Sequence, residues 1–113
     1  GKHGYHLHIY GDCSAPDGSA AGTHFNLKGS SKNPPKHIDR ITGHLGTLIA
    51  DQNANGEHSA VIADARLDGP KSIIGRAVII HEKPNDASKP PIGGAGARLA
   101  CGVVGVANPE MMR

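Results

Sequence analysis

The sequence predicts an all-β chain, and three observations carry that prediction. The 113 residues include 16 glycines and 8 prolines, without long helical periodicity. The stretch HGYHLHIY alternates apolar and polar residues, which is typical of a β-strand. Asn55-Gly56 separates two further alternating runs, the pattern of a tight hairpin turn. At this length we expect one domain with one core.

The strands follow from these alternations in chain order. Gly75, inside the β-branched run SIIGRAVIIH, indicates a bulge or a close approach of backbone. The segment 65–67 leads into a turn at Asp68-Gly69. The predicted strands are 4–10, 46–51, 58–64, 65–67, 72–81 and 101–107.

Two long segments, 14–43 and 82–97, lack strand patterning and are rich in proline and glycine. Loops of this length are uncommon in a small domain and are usually functional when they are ordered. We therefore expect them to carry part of a functional site.

Composition excludes several classes of partner. The formal net charge of +2 is too small to indicate nucleic acid or an anionic membrane. No apolar run approaches the length of a membrane-spanning helix, and residues 1–20 show no signal-peptide core. Tyr5, Tyr10 and Phe25 are too few aromatic residues for a base-stacking platform. We expect no nucleic acid and no membrane as partners.

The two cysteines, Cys13 and Cys101, leave two alternatives open from composition. A bridge between them would stabilise the fold by about 3–5 kcal/mol and favour an oxidising compartment. Two buried thiols would fit the count equally well.

Eight histidines raise the question of a metal site, and their placement is informative. His6 and His8 share one face of the first strand, opposite Tyr5, Leu7 and Ile9. His24 and His81 lie where strands meet the long loops, and an all-imidazole set suits copper or zinc. The alternative is a strand whose polar face is merely histidine-rich. We expect His3 and His58 to be structural or solvent-facing.

Five motifs in order give a more specific indication: HGYHLHIYGD, SAAGTHFN, GHLGTLIAD, SIIGRAVIIHEKPND and GGAGARLACGVVGVA. Together they resemble the copper/zinc superoxide dismutase family over essentially the whole chain. The resemblance implies a flattened Greek-key β-barrel, with copper held outside the barrel under two long loops.

The resemblance also assigns roles to single residues. It implies that Arg98 guides the anionic substrate and that Cys13 and Cys101 form the family's intrasubunit disulfide. The segments around Tyr10, Ile74 and the GVVGVA tail resemble the usual dimer contact. The implied copper ligands are His6, His8, His24 and His81.

The zinc site departs from the family pattern. There, the ligand at His24 also bridges to zinc, whose other ligands follow 8, 17 and 20 positions later. Those positions hold Lys32, Ile41 and His44, and neither lysine nor isoleucine suits that role. An empty zinc site is the favoured interpretation. The alternative is a rearranged site formed by His24, His37, Asp39 and His44.

A second departure lies beside the copper ligands. Asn85 stands where the family has an aspartate that joins the two metal sites, so the amide supplies no charge there. The segment 82–97 is short and places Pro91 and Ile92 where polar guiding residues are usual. The chain thus resembles copper-only or zinc-site-degenerate members, including superoxide dismutase repeat proteins.

The third departure concerns the start of the resemblance, which begins at the family's fourth strand. We expect the first three strands to be absent from these residues. Open sheet edges favour aggregation, so we expect a second copy, another chain or a cleaved segment to pair them. The alternative is that the protein closes its sheet differently.

Two functions follow as hypotheses. The first is an antioxidant enzyme that dismutates superoxide by one-electron cycling of copper. The second is a non-catalytic metal-binding protein for copper carriage or storage, or a structural protein. Extracellular location is the favoured expectation, with a cytoplasmic one as alternative.

Overall fold

The computed structural model describes residues 1–25, 43–62, 65–86, 88 and 94–111. Within them the regular elements are four strands and two single-turn 3-10 helices. The strands are β1 (Lys2–His8), β2 (His44–Ile49), β3 (Ala77–His81) and β4 (Arg98–Val103), and the helical turns are Ser19–Ala21 and Pro109–Met111. No helix in the described ranges is long and apolar enough to cross a membrane.

The four strands form one antiparallel sheet in the order β2-β1-β3-β4. β2 and β3 are consecutive in the chain but lie on opposite sides of β1. In the described residues the sheet is open, with β2 and β4 at its edges. The all-β prediction is confirmed, and the expectation that other segments complete the sheet stays a prediction.

Several predicted strand bounds were wrong. The strand at 72–81 shortens to Ala77–His81, since Gly75 has a φ of 82° and the chain turns there. The last strand lies earlier, at Arg98–Val103. Among the described residues of 58–64 and 65–67 no strand forms, and pairing is limited to a bridge between Arg66 and Ser72. The chain does reverse at Asn55-Gly56, where Gly56 bridges to Ala50.

The sheet face that carries His6 and His8 is buried. His6 lies opposite Ile79 and His8 opposite Ala77, and paired residues of neighbouring strands share a face. The apolar cluster Ala21, Ala77 and Ile79 packs there. The helical turn that contains Ala21 therefore covers this face, and the histidines are enclosed with the core rather than exposed to solvent.

A disulfide joins Cys13 to Cys101, with the two Cα atoms 5.7 Å apart and 88 positions between the residues. It ties the segment after β1 to β4, and Cys101 packs against the core cluster of Ala21, Ala77 and Ile79. The expected bridge is therefore confirmed, and the alternative of buried thiols is wrong.

Candidate metal centre

Three segments bring four imidazoles together. His6 and His8 share a face of β1 because two residues on a strand complete one period. His81 ends β3 on that same face, two residues after Ile79, the partner of His6. His24 forms an isolated antiparallel bridge with His8. Backbone hydrogen bonds from Ile9 N to Thr23 O (3.0 Å) and from Phe25 N to Leu7 O (2.7 Å) hold the His24 segment along β1.

The four rings form a compact buried cluster. One nitrogen of each ring can be chosen so that all four lie within 4.8 Å of one another. His6 and His8 are fully buried, and His24 and His81 are 5% and 4% exposed. Ring centroids are separated by 4.1 Å for His6 and His24 and by 6.5 Å for His6 and His8. The structure therefore brings together all four residues that the sequence analysis assigned to copper.

Backbone carbonyls fix the orientation of two rings. His8 Nδ1 lies 2.8 Å from Gly22 O, and His81 Nδ1 lies 3.2 Å from Gly96 O. Since a carbonyl only accepts, each Nδ1 carries the proton and each Nε2 presents its lone pair. The two Nε2 atoms face each other at 3.3 Å. Two nitrogens bound to one tetrahedral ion at 2.0–2.1 Å are about 3.4 Å apart, so this pair fits a shared metal ion.

Burial keeps three of the four rings neutral, those of His6, His8 and His81. The pKa of His6 is lowered to about 2, first by desolvation and then by the charges of His24 and His81. The side chain of Asn85 raises this pKa and so opposes part of the shift. Desolvation also lowers the pKa of His8 to about 3, although the bond to Gly22 opposes it. The pKa of His81 is lowered mainly by burial as well. Neutral imidazole is the form that binds a metal, so these three rings can bind one at neutral pH without first losing a proton.

His6 gives a second sign that a cation belongs in the cluster. Within the described part of the chain, its Nδ1 and Nε2 are both buried without a hydrogen-bond partner. A buried polar atom left unsatisfied costs about 1–3 kcal/mol, and coordination of an ion would remove that cost for the one nitrogen that binds it. The donor set, four imidazoles without a thiolate or carboxylate, suits copper or zinc.

Arg98 lies at the start of β4, beside the cluster. Its Nη1 donates to Gly18 O at 2.8 Å, in the turn that covers the histidine face. Its positive charge contributes to the lowered pKa of both His8 and His81, so it acts on the cluster electrostatically. Arg98 is half-buried, so its positive charge is held close to the cluster.

Of the rearranged zinc set, His37 and Asp39 lie outside the described residues, as do Lys32 and Ile41. His44, on β2, is exposed and pairs with His6 of β1, and their ring centroids are 6.1 Å apart. It is not among the four histidines whose nitrogens converge. Its Nδ1 lies 2.7 Å from Asn85 Nδ2, and its pKa is lowered by desolvation and then by the charge of His58. Asn85 thus contacts His44 on one side, while its buried Oδ1 has no hydrogen-bond partner among the described residues.

The remaining described histidines serve the scaffold. His3 Nδ1 donates to the carbonyl of His81 at 2.9 Å, which connects β1 to the end of β3. His58 is exposed, and its Nδ1 contacts the hydroxyl of Tyr5.

Sequence reasoning missed the two carbonyls that orient the rings, those of Gly22 and Gly96. Both glycines have positive φ, 74° and 80°, which glycine tolerates best. Glycines near candidate ligands were the only available signal, since a carbonyl leaves no trace in the sequence.

Comparison with known proteins agrees with this geometry. The model of the family "Copper/zinc superoxide dismutase" matches residues 1–104. Superoxide dismutase (Cu-Zn) A of Xenopus laevis is 38% identical over 111 residues, which cover 93% of this chain and 72% of the relative. The crystal structure of the clock protein EA4 superposes with a TM-score of 0.75 at 37% identity, over 95% of this chain and 71% of that one.

Proposed function

Since the chain belongs to the copper/zinc superoxide dismutase family, we propose that it dismutates superoxide to oxygen and hydrogen peroxide with a histidine-bound copper ion. The observation that carries the proposal is the convergence of four buried imidazoles whose ligand nitrogens lie within 4.8 Å of one another. His6, His8, His24 and His81 would hold the ion. Bound there, copper would supply one-electron cycling: one superoxide is oxidised to oxygen, and a second takes that electron and two protons to give hydrogen peroxide.

We assign substrate attraction to Arg98. Superoxide is a small anion, and the guanidinium offers a permanent charge with several donors. One donor is used on Gly18 O, which fixes the group beside the cluster. Its other donors make no hydrogen bond to the part of the chain that the structure describes, and we assign them to orienting an anion next to the imidazoles.

For the second metal, we propose that zinc is not held in the family's usual manner. Lys32 and Ile41 occupy two of its ligand positions. His44, at the third, already has its Nδ1 against the amide of Asn85. A neutral amide there gives no charge to draw a second cation, so copper is the cofactor that we propose.

We propose a second copy of this chain as the partner, as is common in this family. Gly11 and Gly75 O approach so closely that a Cβ on Gly11 would lie 2.2 Å from that oxygen. Gly75 N in turn donates to Val104 O at 2.8 Å. The three segments expected at the dimer contact are therefore adjacent, and they expose Tyr10, Ile74 and Val106. The disulfide supports an oxidising, extracellular location.

The experiment is metal analysis of the purified protein combined with a superoxide dismutation assay after loading with one equivalent of copper. We expect one copper per chain and rapid turnover. His81→Gln removes one cluster nitrogen and should abolish turnover, because the remaining three rings no longer enclose the ion.

His58→Gln is the matched control, because it alters an exposed histidine outside the cluster and should retain turnover. Stoichiometric copper without turnover would contradict the enzyme and leave the alternative of copper carriage or storage. Failure to bind copper would contradict both. Zinc at one equivalent in the same sample would contradict the proposal of a copper-only site.

A further inference from the structure

Arg76 lies outside the metal cluster, yet it contacts the segments that build it. It is half-buried and directly precedes β3, the strand that ends at His81. Its Nη1 donates to Ile9 O at 3.0 Å, just after His8. Its Nε donates to Ser72 O at 2.7 Å, and its Nη2 to Pro70 O at 3.4 Å.

The same guanidinium stacks on an aromatic ring. Arg76 Cζ lies 3.7 Å from the centroid of Phe25, which is buried and directly follows His24. At that distance the cation is attracted by the face of the ring. One side chain therefore touches the residue after His8 and the residue after His24, while its own backbone leads into the strand of His81.

We propose that Arg76 is a positioning residue for the metal centre. It holds the His24 segment through Phe25 and the end of β1 through Ile9, so that the rings of His24 and His8 meet at one point. The inference rests on the proposed metal site, but the contacts of Arg76 involve no metal ion and can be tested before one is added.

The planar fork of arginine is essential to this role. It directs donors at three carbonyls while its face remains free for the ring of Phe25. Lysine keeps the charge but has a compact ammonium group that cannot reproduce both sets of contacts. The Arg76→Lys variant thus separates a positioning role from a contribution of charge alone.

The first readout uses the metal-free protein. Hydrogen exchange at the amides of Ile9 and Phe25 reports the bonds to Thr23 O and Leu7 O. In Arg76→Met we expect both amides to exchange about tenfold faster or more, since bonds from a charged donor are lost. In Arg76→Lys, the exchange rates of both amides should lie between those of Arg76→Met and those of the native protein. Arg66→Met, which removes an exposed arginine from the same region, should change neither amide.

The second readout is the Cu(II) complex. Loss of a residue that orients metal ligands typically lowers metal affinity about 10- to 100-fold. We expect a loss of Cu(II) affinity of this size for Arg76→Met, together with an altered electron paramagnetic resonance spectrum. Arg66→Met should give the native spectrum. Unchanged exchange at Ile9 and Phe25 together with a native spectrum would overturn the proposal.

Two further results complete the test. If Arg76→Met does not fold, the same two measurements are made on Arg76→Lys and Phe25→Leu. Native amide exchange and a native Cu(II) spectrum in both of these variants would overturn the inference. If the native protein binds copper without dismutating superoxide, the proposed function fails while the exchange and spectral changes still support Arg76. If it binds no copper, the exchange result alone decides.

Discussion

The Nε2 atoms of His8 and His81 lie 3.3 Å apart, with both rings turned by backbone carbonyls so that their lone pairs face each other. Two such lone pairs do not attract each other, and neither can supply a proton to the other. The backbone therefore holds an arrangement that is favourable only with a cation between the rings. This relationship links the fold to the proposed chemistry, because the carbonyls belong to Gly22, after β1, and Gly96, just before β4.

The metal-free protein should lose stability in mild acid. The pKa of His6 is lowered to about 2 and that of His8 to about 3, whereas an unfolded histidine titrates near 6.5. The unfolded chain thus binds more protons over this interval, and the free energy of unfolding falls as the pH decreases from about 7 to 4. Each group contributes up to about 1.4 kcal/mol per pH unit.

Urea unfolding of the metal-free protein at pH 7, 6 and 5 measures this slope. His6→Gln should reduce it, because one titrating group is removed. A free energy of unfolding that stays constant between pH 7 and 5 would contradict the burial of these rings as neutral groups.

Replacing Arg98 by isoleucine should slow turnover without altering the copper content. The substitution removes the cation beside the cluster, and electrostatic guidance of an anion raises rates by about tenfold or more. We expect at least that loss in the dismutation assay, together with a weaker dependence on ionic strength. Arg66→Ile, the control at an exposed arginine, should retain the native rate. An unchanged rate in Arg98→Ile would show that the assigned role is wrong.

Gly18→Ala should disturb Arg98 from a distance. Gly18 has a φ of 77°, and an added Cβ would lie 3.1 Å from both Cβ and Cδ of Arg98. We expect a loss of about 1–2 kcal/mol in the free energy of unfolding from the backbone conformation, and slower turnover because the guanidinium is displaced. Gly105→Ala meets no neighbouring atom within 4 Å and serves as the control. Equal rates in both variants would argue against the positioning of Arg98 by this turn.

The disulfide should supply a large share of the stability. It closes a loop across 88 positions, and the loop-entropy model assigns such a bridge about 3–5 kcal/mol. We expect the double variant Cys13→Ser/Cys101→Ser to unfold at a much lower urea concentration than the oxidised protein. Reduction of the native protein should give the same shift. A midpoint that is insensitive to both treatments would show that the bridge contributes little.

The sequence predicted the parts of the fold in which alternation and burial agree. β1 was predicted within two residues at each end. Its alternation places His6 and Leu7 on opposite faces of the sheet, and both faces are covered there, so the pattern corresponds to real packing. The predicted strand at 58–64 fails within the described residues, and Val61, its central apolar residue, is 98% exposed. Alternation is thus an insufficient signal where none of the described residues covers the apolar side chains.

The candidate site was predictable in part. Strand periodicity placed His6 and His8 on one face, and position at strand–loop junctions singled out His24 and His81. Only the family resemblance joined the four into one site, because their convergence depends on the crossover and on the loop after β1. Arg76 was expected only within a dimer-contact segment. Its side chain instead turns back onto Phe25, a contact between residues 51 positions apart that no local pattern reveals.

The most direct test of the central claim is a count of the nitrogen ligands of copper. We expect the protein loaded with one equivalent of Cu(II) to show an X-ray absorption spectrum with about four imidazole nitrogens near 2.0 Å. Single substitutions of His6, His8, His24 and His81 by glutamine should each change that spectrum, whereas His58→Gln should not. Copper bound by two or fewer imidazoles, or a spectrum unaffected by loss of any one of the four, would contradict the account.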